Sequence, residues 1–505
     1  MLTWNLPAIK AGCYACQLKK GQWIGVYHSP LLARVMDTLR DSGLVVRVAS
    51  NLLKSAEVQT VLTLIEKAWE EEFKAKGMPG LSVGIVHDQD LIWEKSFGYA
   101  NIDRKMPANS QTLYGLASVS KPFAATALMQ LRDTGKLSLD DPIEKYVPEF
   151  KVKSRFNDTR PITFRQVVSH FGGIPSEPPL DHWATLRFPS YKDILDKLSE
   201  TEAILPVQTE VHYSNLGIAV MALAIDRIAG QPYRDYVKEH VLKPLGMTRS
   251  DFDPIPEETD NVAVGYVAGP GSVPSPASTY DVNEAYLAPG GLWSSVEDMA
   301  KFISLQFRTG PQCGRQILAG TTLREMWLPV SLDAEWKDGY GIGWNVNKLG
   351  ERLTINHGGQ RDGFMTGITL IPSLKIGIVV LTSWHSEVWT LRRHTLELLA
   401  QVMERIESRG AGVRPVESSD RFRPYLGRYA MRHFPEMEVC FVDGKLRALE
   451  TGSPPSTWSI LEPEGDHRFR IKGGEMNEEL AIFYEDEKGK IVRLNYGGFM
   501  NDRVR

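Results

Sequence analysis

The chain has 505 residues, 42% of them hydrophobic, with a formal net charge of −4. That length exceeds what one hydrophobic core organises, so two or three domains are expected. The near-balanced charge leaves no basic footprint for a nucleic-acid partner, and no apolar run is long enough to predict a membrane span.

Residues 1–55 mix Trp4, Trp23 and Tyr27 with short apolar runs and read as an N-terminal extension of unassigned role. They lack the continuous apolar stretch of a secretory signal, so a cytoplasmic location is expected. Four cysteines are too few for a disulfide framework. Cys13-x-x-Cys16 has no second pair, so it reads as unmatched surface cysteines, and no metal or cofactor is expected.

From Ala56 to Lys76, Val58, Leu62, Ile65, Trp69 and Phe73 recur at helical spacing, and Gly77-Met78-Pro79-Gly80 ends the pattern. A hairpin follows: Leu81 to His87, a turn at Asp88-Gln89-Asp90, then Leu91 to Phe97. A turn-rich segment leads to Ser118-Val119-Ser120-Lys121-Pro122-Phe123. The helix after it, Phe123 to Leu131, is apolar nearly all round, which predicts a buried central helix. Residues 136–210 carry short helices and loops, among them His170-Phe171-Gly172-Gly173 and the proline-rich Pro175 to Pro179. An apolar helix spans Leu216 to Ala229, and another starts near Ser294-Ser295.

Beyond Gly339 the pattern changes to strands: Ile342 to Val346, Leu353 to Asn356, Met365 to Ile371 and Ile376 to Thr382, closed by a helix from Val388 to Ile406. Strands at both ends with helices between predict an α+β fold. One antiparallel sheet is built from the two ends of residues 56–408, with a mainly helical insert on one side. Residues 409–420, with Gly410, Gly412 and Pro415, read as a linker. Residues 421–505 alternate in short runs between turns and predict a small all-β barrel.

Three segments carry the chemistry. Ser118 and Lys121 are three apart, so a helix places them one turn apart on one face. A serine hydroxyl is a weak nucleophile until a neighbour eases loss of its proton, and a lysine in a dry pocket does this as a cation or as a base. Pro122 fits the first turn of a helix, which puts Ser118 near the helix N-terminus and its free N–H groups. S-x-x-K alone arises often by chance. Tyr213-Ser214-Asn215 precedes the second buried helix and offers a phenol for proton transfer and an amide for Lys121 and substrate; Asn215 as a helix N-cap is the plainer alternative. His357-Gly358-Gly359 ends the strand Leu353 to Asn356, where glycines let a substrate backbone approach the edge; a strand-to-loop turn is the plainer alternative.

In this order and at these separations, S-x-x-K, Tyr-x-Asn and His-x-Gly resemble the serine β-lactamase and penicillin-binding superfamily. The likeness is to its class C-like branch, which includes D-alanyl-D-alanine carboxypeptidases, D-aminopeptidases and carboxylesterases, and it spans roughly residues 56 to 405. It implies Ser118 as acylated nucleophile, Lys121 as its activator and Tyr213 as general base and acid. Asn215, His357, Gly358 and Gly359 would contact substrate, and the backbone N–H groups of Ser118 and Gln360 would form an oxyanion hole. Most β-lactamases have lysine where this chain has His357, and histidine is largely neutral near pH 7. The resemblance therefore implies a hydrolase of small-molecule or short-peptide amides and esters, with at most weak β-lactamase activity. Arg361 is expected to restore some positive charge.

A penicillin-binding sensor or scaffold that acylates but turns over slowly is the second reading. Walls of the cleft are expected from Ile174 to Phe188, Tyr286 and Gly363-Phe364, with Trp183 and Phe188 as an apolar pocket or as core. Tyr425-Leu426-Gly427-Arg428-Tyr429 resembles the opening of lipocalin-like domains appended to some of these peptidases, which leaves a homo-oligomer open. There is no H-E-x-x-H motif.

Overall fold

A computed structural model describes residues 55–504, except short stretches at 158–159, 256–258, 269–272, 310–314, 334, 336, 351, 387, 413–420, 432–435, 443–444, 451–457 and 475. It also describes an N-terminal hairpin, Cys16–Lys19 with Gln22–Gly25. Cys13, Cys313 and the rest of the N-terminal extension lie outside the described residues. The chain divides into two compact units, residues 1–403 and 404–505.

The first unit opens with α1 (Ala56–Ala75), whose N-cap Ser55 accepts from the Val58 N–H. The hairpin strands β1 (Gly80–His87) and β2 (Asp90–Asn101) follow, joined through Asp88 in the left-handed region, and then the short β3 (Met106–Pro107). The central helices are α2 (Lys121–Asp133) and α3 (Asn215–Ala229), with α4 (Val296–Gln306) after them. The C-terminal half supplies β4 (Ser331–Leu332), β5 (Asp338–Tyr340), β6 (Asn345–Leu349), β7 (Arg352–Arg361), β8 (Phe364–Ile371) and β9 (Ile376–Thr382). Helix α5 (Trp389–Gly412) comes next.

All nine strands form one antiparallel sheet in the order β4-β5-β6-β7-β8-β9-β1-β2-β3. The β9–β1 pairing, with Leu81 opposite Thr382, joins the two ends of the unit as the strand pattern predicts. Strands β8 and β9 are buried along their whole length, which matches their near-continuous Ile, Val and Leu runs. Helix α4 packs on β1 and β9. Helices α1 and α5 meet where Trp69 Nε1 donates to Thr395 Oγ1 at 3.2 Å.

The core lies between sheet and insert. Phe123, Ala124, Ala125, Ala127, Leu128 and Met129 of α2 are all 0% exposed, because the helix is surrounded by α3, α4 and the sheet. Phe123 stacks on Phe302 of α4 at 3.8 Å between ring centroids. Burying one such ring stabilises by roughly 2–3 kcal/mol, so the element carrying Lys121 is firmly anchored.

Three boundaries differ from the sequence reading. The strand expected over Ile342 to Val346 starts only at Asn345, because Gly343 sits at φ +73° in a turn closed by the Gly341 N–H on the Trp344 carbonyl. Strand β7 does not end at Asn356 but runs through the His357-Gly358-Gly359 motif to Arg361. Helix α5 passes Ile406 and reaches Gly412, since Ser408, Gly410 and Gly412 each cost only about 1 kcal/mol or less near a helix end.

The second unit is a closed antiparallel barrel of eight strands, Gly427–Ala430, Met437–Val442, Lys445–Glu450, Ser459–Gly465, Arg468–Lys472, Leu480–Glu485, Ile491–Tyr496 and Phe499–Arg503. Tyr429 opposite Arg503 closes it, and Tyr429, Phe469, Ile471, Phe483 and Leu494 fill the interior. Closure removes the exposed edges an open sheet would present.

Candidate active site

Ser118 lies in a single 3₁₀ turn, Ala117–Ser120, immediately before α2, so the position expected from Pro122 is met. Ala117 is held at φ +49°, a left-handed conformation that costs a non-glycine residue of order 1 kcal/mol. The Ser120 hydroxyl fixes the turn by donating to the Ala117 carbonyl at 2.7 Å and accepting from the Leu292 N–H at 3.1 Å.

Lys121 is 1% exposed. Its Nζ donates to Ser118 Oγ at 3.0 Å and to the Pro289 carbonyl at 2.8 Å, and it stands over the Tyr213 ring at 4.7 Å. Burial pulls its pKa down to about 7, against the opposing pull of the Glu177 carboxylate. Near neutral pH this amine exists in both charge states, so it can accept a proton from the serine it touches.

Tyr213 is set by the loop that caps α3. Ser214 is the N-cap: its Oγ accepts from the Gly217 N–H at 2.9 Å and donates to the Pro175 carbonyl at 2.6 Å. The buried His170 accepts from the Ser214 N–H at Nδ1 and packs its ring 4.3 Å from that of Tyr213. Burial, with the Lys121 charge nearby, holds His170 well below its ordinary range, so it is a neutral acceptor there. Tyr213 lines the same cavity as Ser118. Burial pushes this phenol far above its ordinary range, so the group that the resemblance implies as general base and acid stands protonated. The resting site therefore holds a protonated Tyr213 beside a lysine of lowered pKa.

Asn215 is neither the N-cap nor a partner of Lys121, as the sequence reading had it. It is the first residue of α3, and its Nδ2 donates to Glu177 Oε1 at 2.6 Å. Pro289 takes the lysine contact through its carbonyl instead.

His357, Gly358 and Gly359 stand within β7. Strand β6 pairs with β7 only as far as Asn345 opposite Asn356, whereas β8 continues to Arg361. Residues 357–361 thus keep one edge towards the cleft, where Ser118, Tyr213, His357, Gly358, Gly359 and Gln360 line one cavity. Gly359 is required by close approach: a Cβ there would meet the Leu116 carbonyl oxygen at 2.1 Å and Thr366 Oγ1 at 2.5 Å. Burial drives the His357 pKa down to about 3, so the imidazole is neutral, with Nδ1 on the Gly358 carbonyl at 2.7 Å.

Arg361 does not supply the free positive charge expected of it. Its guanidinium pairs with Asp253 at 2.8 Å, both side chains being 9% exposed, and lies between the Tyr280 and Trp293 rings. A lone arginine in this apolar wall would need a counter-charge, which Asp253 provides.

Ser118 and Gln360 also line a second hollow, walled by Trp183, Phe188, Tyr280, Val282, Tyr286 and Arg361. Trp183, at 47% exposed, belongs to this cleft rather than to the core, whereas Phe188 is both cleft wall and core. Phe364 packs against Trp293 and is not among the residues lining it. The serine therefore stands between a polar side, carrying Tyr213 and His357, and an aromatic side, carrying Asn215 and Tyr286.

Two side chains in the site went unread in the sequence. His170 was visible only as part of an irregular loop. Glu177 accepts from Asn215 and from the Tyr286 hydroxyl, and lies 3.2 Å from His182 Nε2. It sits in the proline-rich loop, where nothing in the local sequence marks a buried carboxylate.

Residues 64–401 match the model of the beta-lactamase family. Beta-lactamase-like protein 2 of Dictyostelium discoideum is 30% identical over 322 residues, covering 62% of this chain and 58% of that protein. Protein flp of Staphylococcus aureus strain N315 is 29% identical over 328 residues, covering 64% of this chain and 63% of that one. The matches thus span less than two thirds of the length of these curated relatives. Among solved structures, the octameric penicillin-binding protein homologue from Pyrococcus abyssi is similar over 87% of this chain and 99% of its own, with TM-score 0.59 and 26% identity. A class C beta-lactamase shares the fold over 68% of this chain and 97% of its own, with TM-score 0.58 and 19% identity. With a family match over most of its length and a fold and motif order to fit, the chain belongs to the beta-lactamase family.

Proposed function

We propose that this chain is a serine hydrolase acting through an acyl-enzyme on amide or ester carbonyls, as a D-amino-acid peptidase or carboxylesterase with at most weak β-lactamase activity. The observation that carries this reading is the 3.0 Å contact between Ser118 Oγ and a buried Lys121 whose pKa is drawn down to about 7. A nucleophile beside a base poised near the working pH is what acyl transfer needs.

In the first step neutral Lys121 takes the Ser118 proton as Oγ bonds to the substrate carbonyl carbon. The oxyanion sits against the N–H groups of Ser118 and Gln360, and each such donor is worth roughly a hundredfold or more in rate. Tyr213, protonated and lining the same cavity as Ser118, passes a proton to the departing nitrogen or oxygen as the C–N or C–O bond breaks, and is reprotonated from Lys121. Water then attacks the acyl ester with the same groups acting in reverse. Neutral His357 provides no fixed cation for a substrate carboxylate, which supports peptide and ester substrates over β-lactams.

Parallel assay of D-amino-acid amides, short p-nitrophenyl esters and nitrocefin tests the reading. Steady turnover of an amide or ester with little nitrocefin hydrolysis is the expected result. A burst with no turnover on any substrate would replace it with the slow-acylating sensor. The octameric relative supports homo-oligomer formation, which light scattering on the full chain checks.

A further inference from the structure

If Tyr213 protonates the leaving group, the leaving group lies on the polar side of Ser118 and the acyl part lies on the aromatic side. That side has a particular character. Phe188 packs its ring 4.9 Å from Trp183, 5.0 Å from Tyr280 and 5.0 Å from Tyr286, so aromatic surface dominates the hollow. Behind two residues of its wall, Asn215 and Tyr286, stands Glu177, which accepts a hydrogen bond from each and keeps 25% of its side-chain surface open. Its hydrogen-bond partners are an amide, a phenol and an imidazole, with no lysine or arginine among them. These donors keep it a carboxylate although burial pulls the other way. The guanidinium in the same wall, Arg361, is already matched by Asp253.

A carboxylate next to a cluster of Trp, Phe and Tyr rings is an environment for a cation. The carboxylate attracts it directly and the ring quadrupoles add to that attraction. The same environment repels an anionic acyl group. Resting on the acyl-enzyme reading above, we propose that Glu177 is a specificity-determining residue. It selects substrates whose acyl part carries a protonated amine, that is, esters and amides of amino acids with a free amino group.

The test compares D-alanine p-nitroanilide with its N-acetyl and N-succinyl derivatives on the full chain. The free-amine substrate is expected to have a kcat/KM about tenfold or more above the acetylated one, with the succinylated one lowest. In Glu177→Gln the ratio of free-amine to acetylated kcat/KM should fall towards one. An unchanged ratio, or an equal loss on both substrates, overturns the proposal and leaves Glu177 as a support for Asn215 alone. A second measurement needs neither the variant nor turnover: binding of benzylamine, benzyl alcohol and benzoate to the wild-type chain, followed by calorimetry. Benzylamine is expected to bind at least about tenfold more tightly than the other two, and equal binding of benzyl alcohol overturns the proposal. Fluorophosphonate labelling of Ser118 reports on the hydrolase reading separately, so labelling without an amine preference sinks only the role of Glu177.

Discussion

Replacing Lys121 by methionine separates what the lysine does for catalysis from what it does to the fold. A lysine ordinarily titrates near 10.5, and burial brings this one to about 7. Below about pH 7 the ammonium is charged in both native and unfolded chains, and the native state bears the desolvation penalty in full. Between about 7 and 10.5 the unfolded chain binds the proton and the native chain does not, so native stability rises with pH across that window. The gap corresponds to about 5 kcal/mol as an upper bound. Methionine has similar volume and no charge, but it gives up the contacts to Ser118 and Pro289, at about 1 kcal/mol each. The net expectation is a variant more stable than wild type by about 3 kcal/mol at pH 6, with the advantage shrinking as the pH approaches 10. In a unit of this size that is a Tm increase of several degrees. Activity moves the other way: wild-type kcat/KM on a neutral ester should rise through an apparent pKa near 7, as the base loses its proton, and the variant should be inactive. Thermal melts at pH 6 and 10, with one pH–rate profile, check both arms. A Lys121→Met chain less stable than wild type at both pH values, together with a flat wild-type profile from pH 6 to 9, would refute the assignment.

Three further outcomes are expected. Ser118→Ala should abolish covalent labelling by a fluorescent fluorophosphonate or penicillin while the thermal melt stays cooperative; retained labelling moves the nucleophile elsewhere. Tyr213→Phe should lower turnover by at least about a hundredfold, the usual range for a group that moves a proton, and unchanged turnover removes it from the mechanism. Gly359→Ala should destabilise by about 1–3 kcal/mol and cut kcat/KM by tenfold or more, because the new methyl meets the Leu116 carbonyl at 2.1 Å and must push β7 from the Ser118 turn. A variant with wild-type melt and kinetics would show that β7 has slack there.

The elements that position the site were legible in the sequence because each is decided locally. The all-round apolar pattern of Phe123 to Leu131 and of Leu216 to Ala229 demands burial wherever those helices go, and both lie in the core. The strands Met365 to Ile371 and Ile376 to Thr382 are continuous apolar runs, and a fully buried strand leaves that signature. Errors came where a distant contact set the boundary. Nothing near Asn356 says that β8 keeps pairing with β7 as far as Arg361, since that depends on Phe364 turning the chain back at the right register. The glycines read as room for a substrate also make room for the protein's own Leu116 carbonyl.

The chemistry of the site divides along the same line. Spacing placed Ser118 beside Lys121, since three residues across a helical turn fix the approach. Charge states did not follow from spacing, because burial sets them. The phenol expected to lose its proton is the one that burial keeps protonated, and the lysine expected to act as an activator has a pKa near the working pH. The expected positive charge of Arg361 is matched by Asp253, more than a hundred residues away. A carboxylate absent from every motif, Glu177, instead holds Asn215 and Tyr286, two residues of the aromatic side. One consequence is electrostatic: the cleft, where some positive charge from Arg361 is expected, has a neutral histidine on one side and the Glu177 carboxylate behind the other. Substrate choice within this fold can therefore turn on a residue of a proline-rich loop while the three motifs stay the same. Exchanging Glu177 should thus shift selectivity at a site whose acyl-transfer groups are otherwise intact.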